Sequence, residues 1–221
     1  MNREPKITVF IIISVFLLAA LFFIFAARTE SKETLHESYS KTDTVSTVDV
    51  VFFGDSITRG GDFENYFSGV KVVNLGVNGD RLDDLYERVP QVVSYNPRKV
   101  FLLGGINSLR DDNIEECSKK YESLLDLLRS SLPQCEIYVQ SVLPVSNTVI
   151  APFQLASNKS VISFNKLIKA AAEKRSIEYI DIHSLYYLGG ELDASLTSDG
   201  LLLIPPAYGR WVEAVRKYVE N

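Results

Sequence analysis

Apolar residues are unevenly distributed along this chain. Ile7–Ala27 contains no charged residue and is long enough to cross a bilayer as a helix, which predicts an N-terminal membrane anchor over residues 1–27. A cleaved signal peptide is the alternative, although its apolar region is usually shorter and Phe25 stands where a small residue normally precedes the cleavage point. The flanking basic residues are compatible with an inside N-terminus. We therefore expect a single-pass membrane protein whose main domain is extracytoplasmic.

The residues that follow the apolar segment are polar. Residues 28–47 are rich in Ser, Thr, Glu and Lys and show no sustained apolar period, which predicts a linker. His36 lies inside this linker, where no rigid element would hold it as a ligand or base. The remaining residues, 48–221, form the predicted folded domain.

Within residues 48–221, short β-rich runs alternate with stretches of helical period. This alternation is typical of a parallel sheet covered by helices on both faces. The five runs are Asp49–Gly54, Val70–Leu75, Lys99–Gly104, Glu136–Leu143 and Ile177–Ile182. The pattern predicts an α/β fold with a doubly wound, flavodoxin-like, five-stranded parallel sheet in a three-layer α/β/α arrangement, preceded by the transmembrane helix.

Three apolar stripes mark the longer predicted helices. The first has apolar residues at three- and four-residue spacing between Ile114 and Leu132, and Pro133 ends it. The second runs from Val161 to Ala171, and the third begins near Trp211. Each stripe predicts a helix with one buried face.

Composition removes several classes of function. The chain has 221 residues, of which 46% are hydrophobic and 23% charged, which excludes disorder as the main state. A net charge of -5 gives no positive electrostatic field that would attract a phosphate backbone, so we expect no nucleic-acid partner. The only cysteines, Cys117 and Cys135, have no metal-binding context and are interpreted as two buried thiols rather than a disulfide or reactive pair. We expect no metal and no cofactor.

Candidate chemistry follows three of the predicted strands. In open α/β sheets the ligand crevice lies beyond the carboxyl ends of the strands. Ser56 follows the first strand, Gly76 follows the second, and Asn107 follows the third. A hydroxyl beside a glycine N–H and a side-chain amide is suited to acyl transfer, because the two donors stabilise a developing oxyanion. Each motif also occurs in ordinary turns and helix caps, so a purely structural role is the alternative.

Taken in order, these motifs resemble those of the SGNH hydrolase family, also called GDSL-type esterases and lipases. The resemblance runs from Val48 to the C-terminus and includes Gly54-Asp55-Ser56, Gln140–Pro144 and Thr197–Leu201. It implies that Ser56 is the nucleophile and an oxyanion donor, that Gly76 and Asn107 supply the other donors, and that Asp199 orients a histidine.

The sequence departs from the family pattern where that histidine should stand. Leu202 occupies the position three residues after Asp199, and a leucine side chain cannot accept a proton. Ser108 is a smaller departure, since the family often has Asp after the Asn. His183 follows the fifth strand and is the remaining candidate base, although a strand-capping role fits it better.

Three hypotheses about the function follow from the resemblance. The first is a serine ester hydrolase for short acyl or acetyl esters of carbohydrate or lipid, with activity weakened at Leu202. The second is a non-catalytic pseudoenzyme, a tethered ligand-binding or scaffold module. The third is acyl transfer to an acceptor other than water. All three take a small-molecule, glycan or lipid ester as the ligand and the membrane as the N-terminal partner.

Overall fold

The computed structural model describes residues 47–110, 113–146 and 156–221. The predicted anchor, His36 and nearly all of the predicted linker lie outside these residues. No helix within the described ranges combines the length and the hydropathy needed to cross a bilayer.

The described chain alternates strands and helices, as the sequence pattern predicts. The strands are β1 Val50–Gly54, β2 Val72–Gly76, β3 Lys99–Leu103, β4 Glu136–Gln140, β5 Glu178–Ile180, β6 Tyr187–Leu188 and β7 Glu191–Leu192. The helices are α1 Ser56–Arg59, α2 Phe63–Tyr66, α3 Leu82–Glu87, α4 Val89–Ser94, α5 Ile106–Leu109, α6 Ile114–Ser131, α7 Asn158–Lys174 and α8 Tyr208–Val219. Short 3-10 turns lie at His183–Leu185, Ala194–Leu196 and Pro205–Ala207.

Strands β1 to β5 form one parallel sheet in the order β2-β1-β3-β4-β5. The predicted five-stranded parallel sheet is therefore confirmed. β6 and β7 form a separate antiparallel hairpin that the sequence analysis did not predict. β1 and β3 are buried along their whole length, because helices cover the sheet and water reaches neither strand.

One face of the sheet is aromatic. Phe52 pairs in register with Phe101, and Phe101 with Tyr138, so the three rings share a face because side chains alternate along a strand. Their centroids stack at 5.0 Å and 4.6 Å. Phe63 of α2 stacks on Phe52 at 3.8 Å, and Trp211 of α8 meets Phe63 edge-on at 5.2 Å. Helices α2 and α8 thus cover this face.

Helices α6 and α7 pack against each other through their apolar stripes, where Tyr121 meets Phe164 edge-on at 5.7 Å. Asn113 caps α6 and Ser157 caps α7, each accepting a backbone N–H from the first turn. The predicted stripe of α7 includes Leu167, but that side chain is 39% exposed. Cys117 is buried as predicted, Cys135 is half-buried rather than buried, and neither is in a disulfide.

Two asparagines of α7 hold the segment that leaves β4. Asn165 bonds both the N–H and the C=O of Val142, and Asn158 does the same for Val145, at 2.7–2.9 Å. These bonds replace a strand partner, which explains why β4 ends at Gln140 rather than at the predicted Leu143.

Candidate active site

The candidate site lies at the carboxyl edge of the sheet, where β1 lies between β2 and β3. Gly54, the last residue of β1, pairs with Gly76 of β2 and with Leu103 of β3. Because adjacent strands are about 4.8 Å apart, the segments that follow these three strands begin within about 10 Å of one another. Ser56, Gly76 and Asn107 thus lie at one edge of the sheet.

Ser56 is the first residue of α1 and is half-buried. Asp55 caps the helix, and its Oδ1 accepts the Ile57 N–H at 3.0 Å. Gly54 is required before this turn because an added Cβ would lie 2.2 Å from both the Leu103 carbonyl oxygen and the Thr58 hydroxyl oxygen. Within the described ranges the Ser56 hydroxyl has no hydrogen-bond partner, so no base is bonded to it.

The carboxyl group of Asp55 is fully buried behind Ser56. The pKa of Asp55 is raised to about 7, because burial and, to a smaller extent, the Asp80 charge outweigh the opposing hydrogen bond from the Ile57 N–H. Its Oδ2 has no hydrogen-bond partner among the described residues. Below neutral pH, this carboxyl group is therefore mostly uncharged.

Gly76 has a structural role, which is the alternative that the sequence analysis left open for it. Its N–H already donates to Asn74 Oδ1 at 2.9 Å, and Asn74 Nδ2 donates to the Thr58 and Gly61 carbonyl oxygens. An added Cβ at Gly76 would lie 2.2 Å from the Arg59 backbone nitrogen. Gly76 thus lets α1 pack against β2, and the N–H that was predicted to hold an oxyanion is occupied.

Gly79 lies three residues later in the same loop. It has a φ of +80°, and no heavy atom lies within 4 Å of where its Cβ would be. Among the described residues its N–H has no acceptor. The sequence analysis assigned no role to this second glycine of Asn74-Leu75-Gly76-Val77-Asn78-Gly79.

Asn107 lies in α5 and its side chain is held in place. Its Nδ2 donates to the Asp80 carbonyl oxygen at 2.9 Å, and its own carbonyl oxygen accepts from Arg81 at 3.2 Å. A primary amide has two N–H groups, so one remains for a ligand oxygen. Asn107 is therefore a fixed donor at the same edge as Ser56.

An ion pair supports these segments from below. Arg88 Nε donates to Asp80 Oδ2 at 2.7 Å, and its NH2 group donates to the carbonyl oxygens of Gly54 and Leu75. The guanidinium also lies 5.0 Å from the centroid of the Phe53 ring. Arg88 thus ties the ends of β1 and β2 to the loop that holds Asn107.

Asp199 shapes the loop that carries Leu202. Its Oδ1 accepts the N–H groups of Leu201 and Leu202 at 2.9 Å and 2.7 Å. Tyr208, just after this loop, donates its hydroxyl to the Ile57 carbonyl oxygen at 2.7 Å. Burial raises the pKa of Tyr208, and the nearby charges of Asp55 and Asp199 raise it further. The Asp199 loop therefore approaches the same tyrosine as the first turn of α1.

The comparisons with known proteins identify a family for most of the described domain. Residues 52–203 match the profile of the GDSL-like lipase/acylhydrolase family. The chain belongs to this family.

Individual relatives are distant. N-acylneuraminate cytidylyltransferase from Streptococcus agalactiae is 26% identical over 183 residues, which are 82% of this chain and 41% of that protein. The chain thus spans well under half the length of these curated relatives. A GDSL-like lipase from Bacteroides thetaiotaomicron superposes with a TM-score of 0.70 at 19% identity, covering 86% of this chain and 96% of that one. A variant of an acetyl-xylooligosaccharide esterase from Geobacillus gives 0.62 at 19%, covering 81% and 97%.

Leu202 is the departure from the GDSL family pattern with the largest chemical consequence. Its side chain is half-buried and packs against the hydrophobic core. An aliphatic group neither accepts nor returns a proton, so Ser56 receives no help from this position. Ser108, the smaller departure, has a structural role, since its hydroxyl accepts the Leu82 N–H at the start of α3.

His183 does not replace the missing base. It follows β5, which is three positions from β1 in the sheet, so the two strand ends are about 14 Å apart. Its backbone N–H donates to the Ser141 hydroxyl, and the centroid of its ring lies 4.8 Å from that of the Tyr187 ring. Burial lowers the pKa of His183, and the Asp181 charge opposes this. Within the described ranges no group of His, Cys, Asp and Glu side chains is arranged to hold a metal ion.

Proposed function

We propose that residues 48–221 form an ester-hydrolase domain that binds short acyl or acetyl esters of carbohydrate or lipid and hydrolyses them slowly through Ser56. The observation that carries this proposal is that Ser56, at the start of α1, and Asn107, in α5, follow the ends of the neighbouring strands β1 and β3 at one edge of the sheet. A hydroxyl and fixed N–H donors at one edge suit attack on a carbonyl carbon.

In the proposed reaction the Ser56 oxygen attacks the ester carbonyl carbon, and the carbonyl oxygen takes the negative charge. The Ser56 N–H and the free Asn107 N–H stabilise that oxyanion. Gly76 is the third donor that the resemblance implies, but its N–H is bonded to Asn74, so we assign this position to Gly79. The alcohol leaves as the acyl-serine forms, and water then releases the acid.

Both steps need proton transfers that no side chain at position 202 provides. The serine proton passes to solvent, and the leaving alkoxide takes its proton from solvent. In a serine protease, loss of the base alone costs about 10⁶ in turnover, while about 10³–10⁴ over the uncatalysed rate survives. We therefore expect slow, Ser56-dependent hydrolysis.

The second candidate is a pseudoenzyme that keeps the site for ligand recognition or scaffolding. Leu202 favours it, because this side chain packs against the core where the family has its base. Acyl transfer to another acceptor would use the same acyl-serine and differs only in what attacks it.

The experiment compares the full-length parent, Ser56→Ala and the control Ser68→Ala on 4-nitrophenyl acetate. Ser68 is exposed and follows α2, so its loss should change nothing. Hydrolysis that survives in the control and disappears in Ser56→Ala supports the hydrolase. Equal rates in all three proteins reject hydrolysis through Ser56 and favour the pseudoenzyme.

We further propose a single-pass membrane tether over residues 1–27 that holds the domain on the extracytoplasmic side. The charge-free run Ile7–Ala27 supports this placement. The cytidylyl transfer named for the Streptococcus agalactiae relatives belongs to proteins more than twice as long as the matched region, and we do not assign it to this domain.

A further inference from the structure

A cavity of about 390 Å³ lies between the end of α1 and the segment that precedes α8. Asp62, Asn65 and Tyr66 line it from one segment, and Pro205, Pro206 and Tyr208 line it from the other. This volume falls within the range of about 300–1,000 Å³ that is usual for small-molecule sites.

The cavity is connected by sequence to both parts of the candidate active site. Gly60, which also lines it, follows the four-residue helix that Ser56 begins, so the two Cα atoms are about 6 Å apart along the helix. Pro205 comes three residues after Leu202. An added Cβ at Gly60 would lie 2.3 Å from the Tyr208 hydroxyl oxygen, so the glycine leaves room for this tyrosine.

The polar side chains of the cavity are held in place by hydrogen bonds and still have hydrogen-bonding groups left for a ligand. Asn65 Nδ2 donates to both carboxylate oxygens of Asp62 at 2.9 Å. Asp62 is at the N-cap of α2 yet makes no side-chain capping bond there, so its carboxylate does not cap the start of that helix. The remaining lone pairs of Asp62 and the Asn65 carbonyl oxygen can accept from ligand hydroxyls, and the second Asn65 N–H can donate.

Tyr66 supplies an aromatic surface beside these groups. Its side chain is 38% exposed, although it is large and mostly apolar. An aromatic face next to a carboxylate and an amide matches a sugar ring, which offers C–H groups on its face and hydroxyls on its edge. A long acyl chain fits poorly, because it would remove water from Asp62 and Asn65 without replacing the lost hydrogen bonds.

The charge of the cavity narrows the ligand further. Among the described residues, its lining contains the Asp62 carboxylate and no lysine or arginine. An anionic sugar or a phosphate would therefore be repelled without a compensating cation. A neutral ring with free hydroxyls matches the lining in both charge and hydrogen bonding.

We infer that this cavity binds the neutral pyranose ring of a carbohydrate ester whose acyl group lies at Ser56. The inference rests on the proposed function, since it names the alcohol part of the ester that Ser56 would attack. Tyr66 and Asp62 are then specificity residues, and the site selects sugar esters over lipid esters.

Binding of the sugar alone can be measured without any ester chemistry. The full-length protein is titrated with methyl glycopyranosides of xylose, glucose and N-acetylglucosamine, with methyl glucuronoside as the anionic probe and hexanol as the apolar probe, by ligand-observed NMR. We expect at least one neutral glycoside to bind in the millimolar range, and Tyr66→Ala and Asp62→Ala each to weaken it about tenfold. The matched control is Tyr86→Ala, which removes a tyrosine of α3 that is 44% exposed and should leave binding unchanged.

The inference is overturned if no neutral glycoside binds, if Tyr66→Ala binds as the parent does, or if hexanol or the glucuronoside binds more tightly than every neutral glycoside. Ser56→Ala separates this test from that of the proposed function, because it should keep the full affinity for glycosides. Glycoside binding that depends on Tyr66 without any ester hydrolysis would reject only the hydrolase. Hydrolysis that depends on Ser56, together with glycoside binding that is equal in Tyr66→Ala and the parent, would reject only the sugar site.

Discussion

Leu202→His tests whether the missing base is what limits the site. Asp199 Oδ1 already accepts the N–H groups of Leu201 and Leu202, so its carboxylate is held next to residue 202. Its second oxygen can accept the Nδ1–H of an imidazole at that residue, which would fix the ring and leave Nε2 as the base. No other change to the loop is needed.

The expected gain follows from the usual contribution of a positioned base. General base catalysis provides about 10²–10⁴ in rate, and the full loss in a serine protease is about 10⁶. Asp199 is already oriented, but the loop packs around a leucine and not around an imidazole. The rate gain from the new base should therefore reach only the lower part of the range of about 10²–10⁴. We therefore expect a gain of about 10²-fold in kcat, or roughly 2.7 kcal/mol in the activation free energy. Leu202 is only half-buried, so the free energy of unfolding should change by about 1 kcal/mol or less.

The assay is hydrolysis of 4-nitrophenyl acetate across pH by the full-length protein. The rate of Leu202→His should rise with pH through the range where a histidine loses its proton, near 6.5. Leu188→His controls for a solvent-exposed imidazole, because Leu188 is 63% exposed on the hairpin. Adding Ser56→Ala to Leu202→His should abolish the gain. A folded Leu202→His protein no faster than Leu188→His would refute the reasoning that position 202 lies within reach of Ser56.

Three further changes test the packing behind the site by chemical denaturation. The native pKa of Asp55, about 7, exceeds its unfolded value of 3.8, so the native state binds a proton that the unfolded state has lost. The free energy of unfolding should therefore fall as pH rises from about 4 to about 7, by at most about 1.4 kcal/mol per pH unit. Asp55→Asn should remove most of this slope. Gln140→Ala removes the acceptor of the buried Trp211 N–H and should lower the free energy of unfolding by about 1–3 kcal/mol. Asn158→Ala unpairs both backbone groups of Val145 and should cost about 2–3 kcal/mol, whereas no loss would mean that water replaces the amide.

The fold was predictable because each element leaves a local pattern. The apolar stripe from Ile114 predicts α6, which ends at Ser131 just before Pro133. The ends of strands were less predictable: β5 was expected to cover Ile177–Ile182 and covers Glu178–Ile180. Strand ends depend on partners distant in sequence, and those partners leave no periodic signal at the strand itself.

The site was predictable in its placement and less so in its contacts. The strand-end argument predicted that Ser56 and Asn107 lie at one edge of the sheet, where the structure has them, because parallel strands of one sheet end at one edge. It could not show that the Gly76 N–H bonds to Asn74, since that bond depends on the Asn74 side chain and on how closely α1 approaches β2. The burial of the Asp55 carboxyl group and its raised pKa could not be predicted either, because Gly-Asp-Ser is equally compatible with an exposed helix cap.

The presence of Asp199 is not by itself evidence for a working triad. Its Oδ1 bonds two successive backbone N–H groups, and the Thr197 hydroxyl accepts a third from Gly200, so the loop is held without an imidazole. Bonds of a carboxylate to backbone N–H groups are worth about 1.5–3 kcal/mol each. A change of histidine to leucine at residue 202 would therefore leave the loop intact. The hydrogen bonds that shape the loop and the proton transfer that a base at residue 202 would supply are therefore separable, because Leu202 lacks the second and keeps the first.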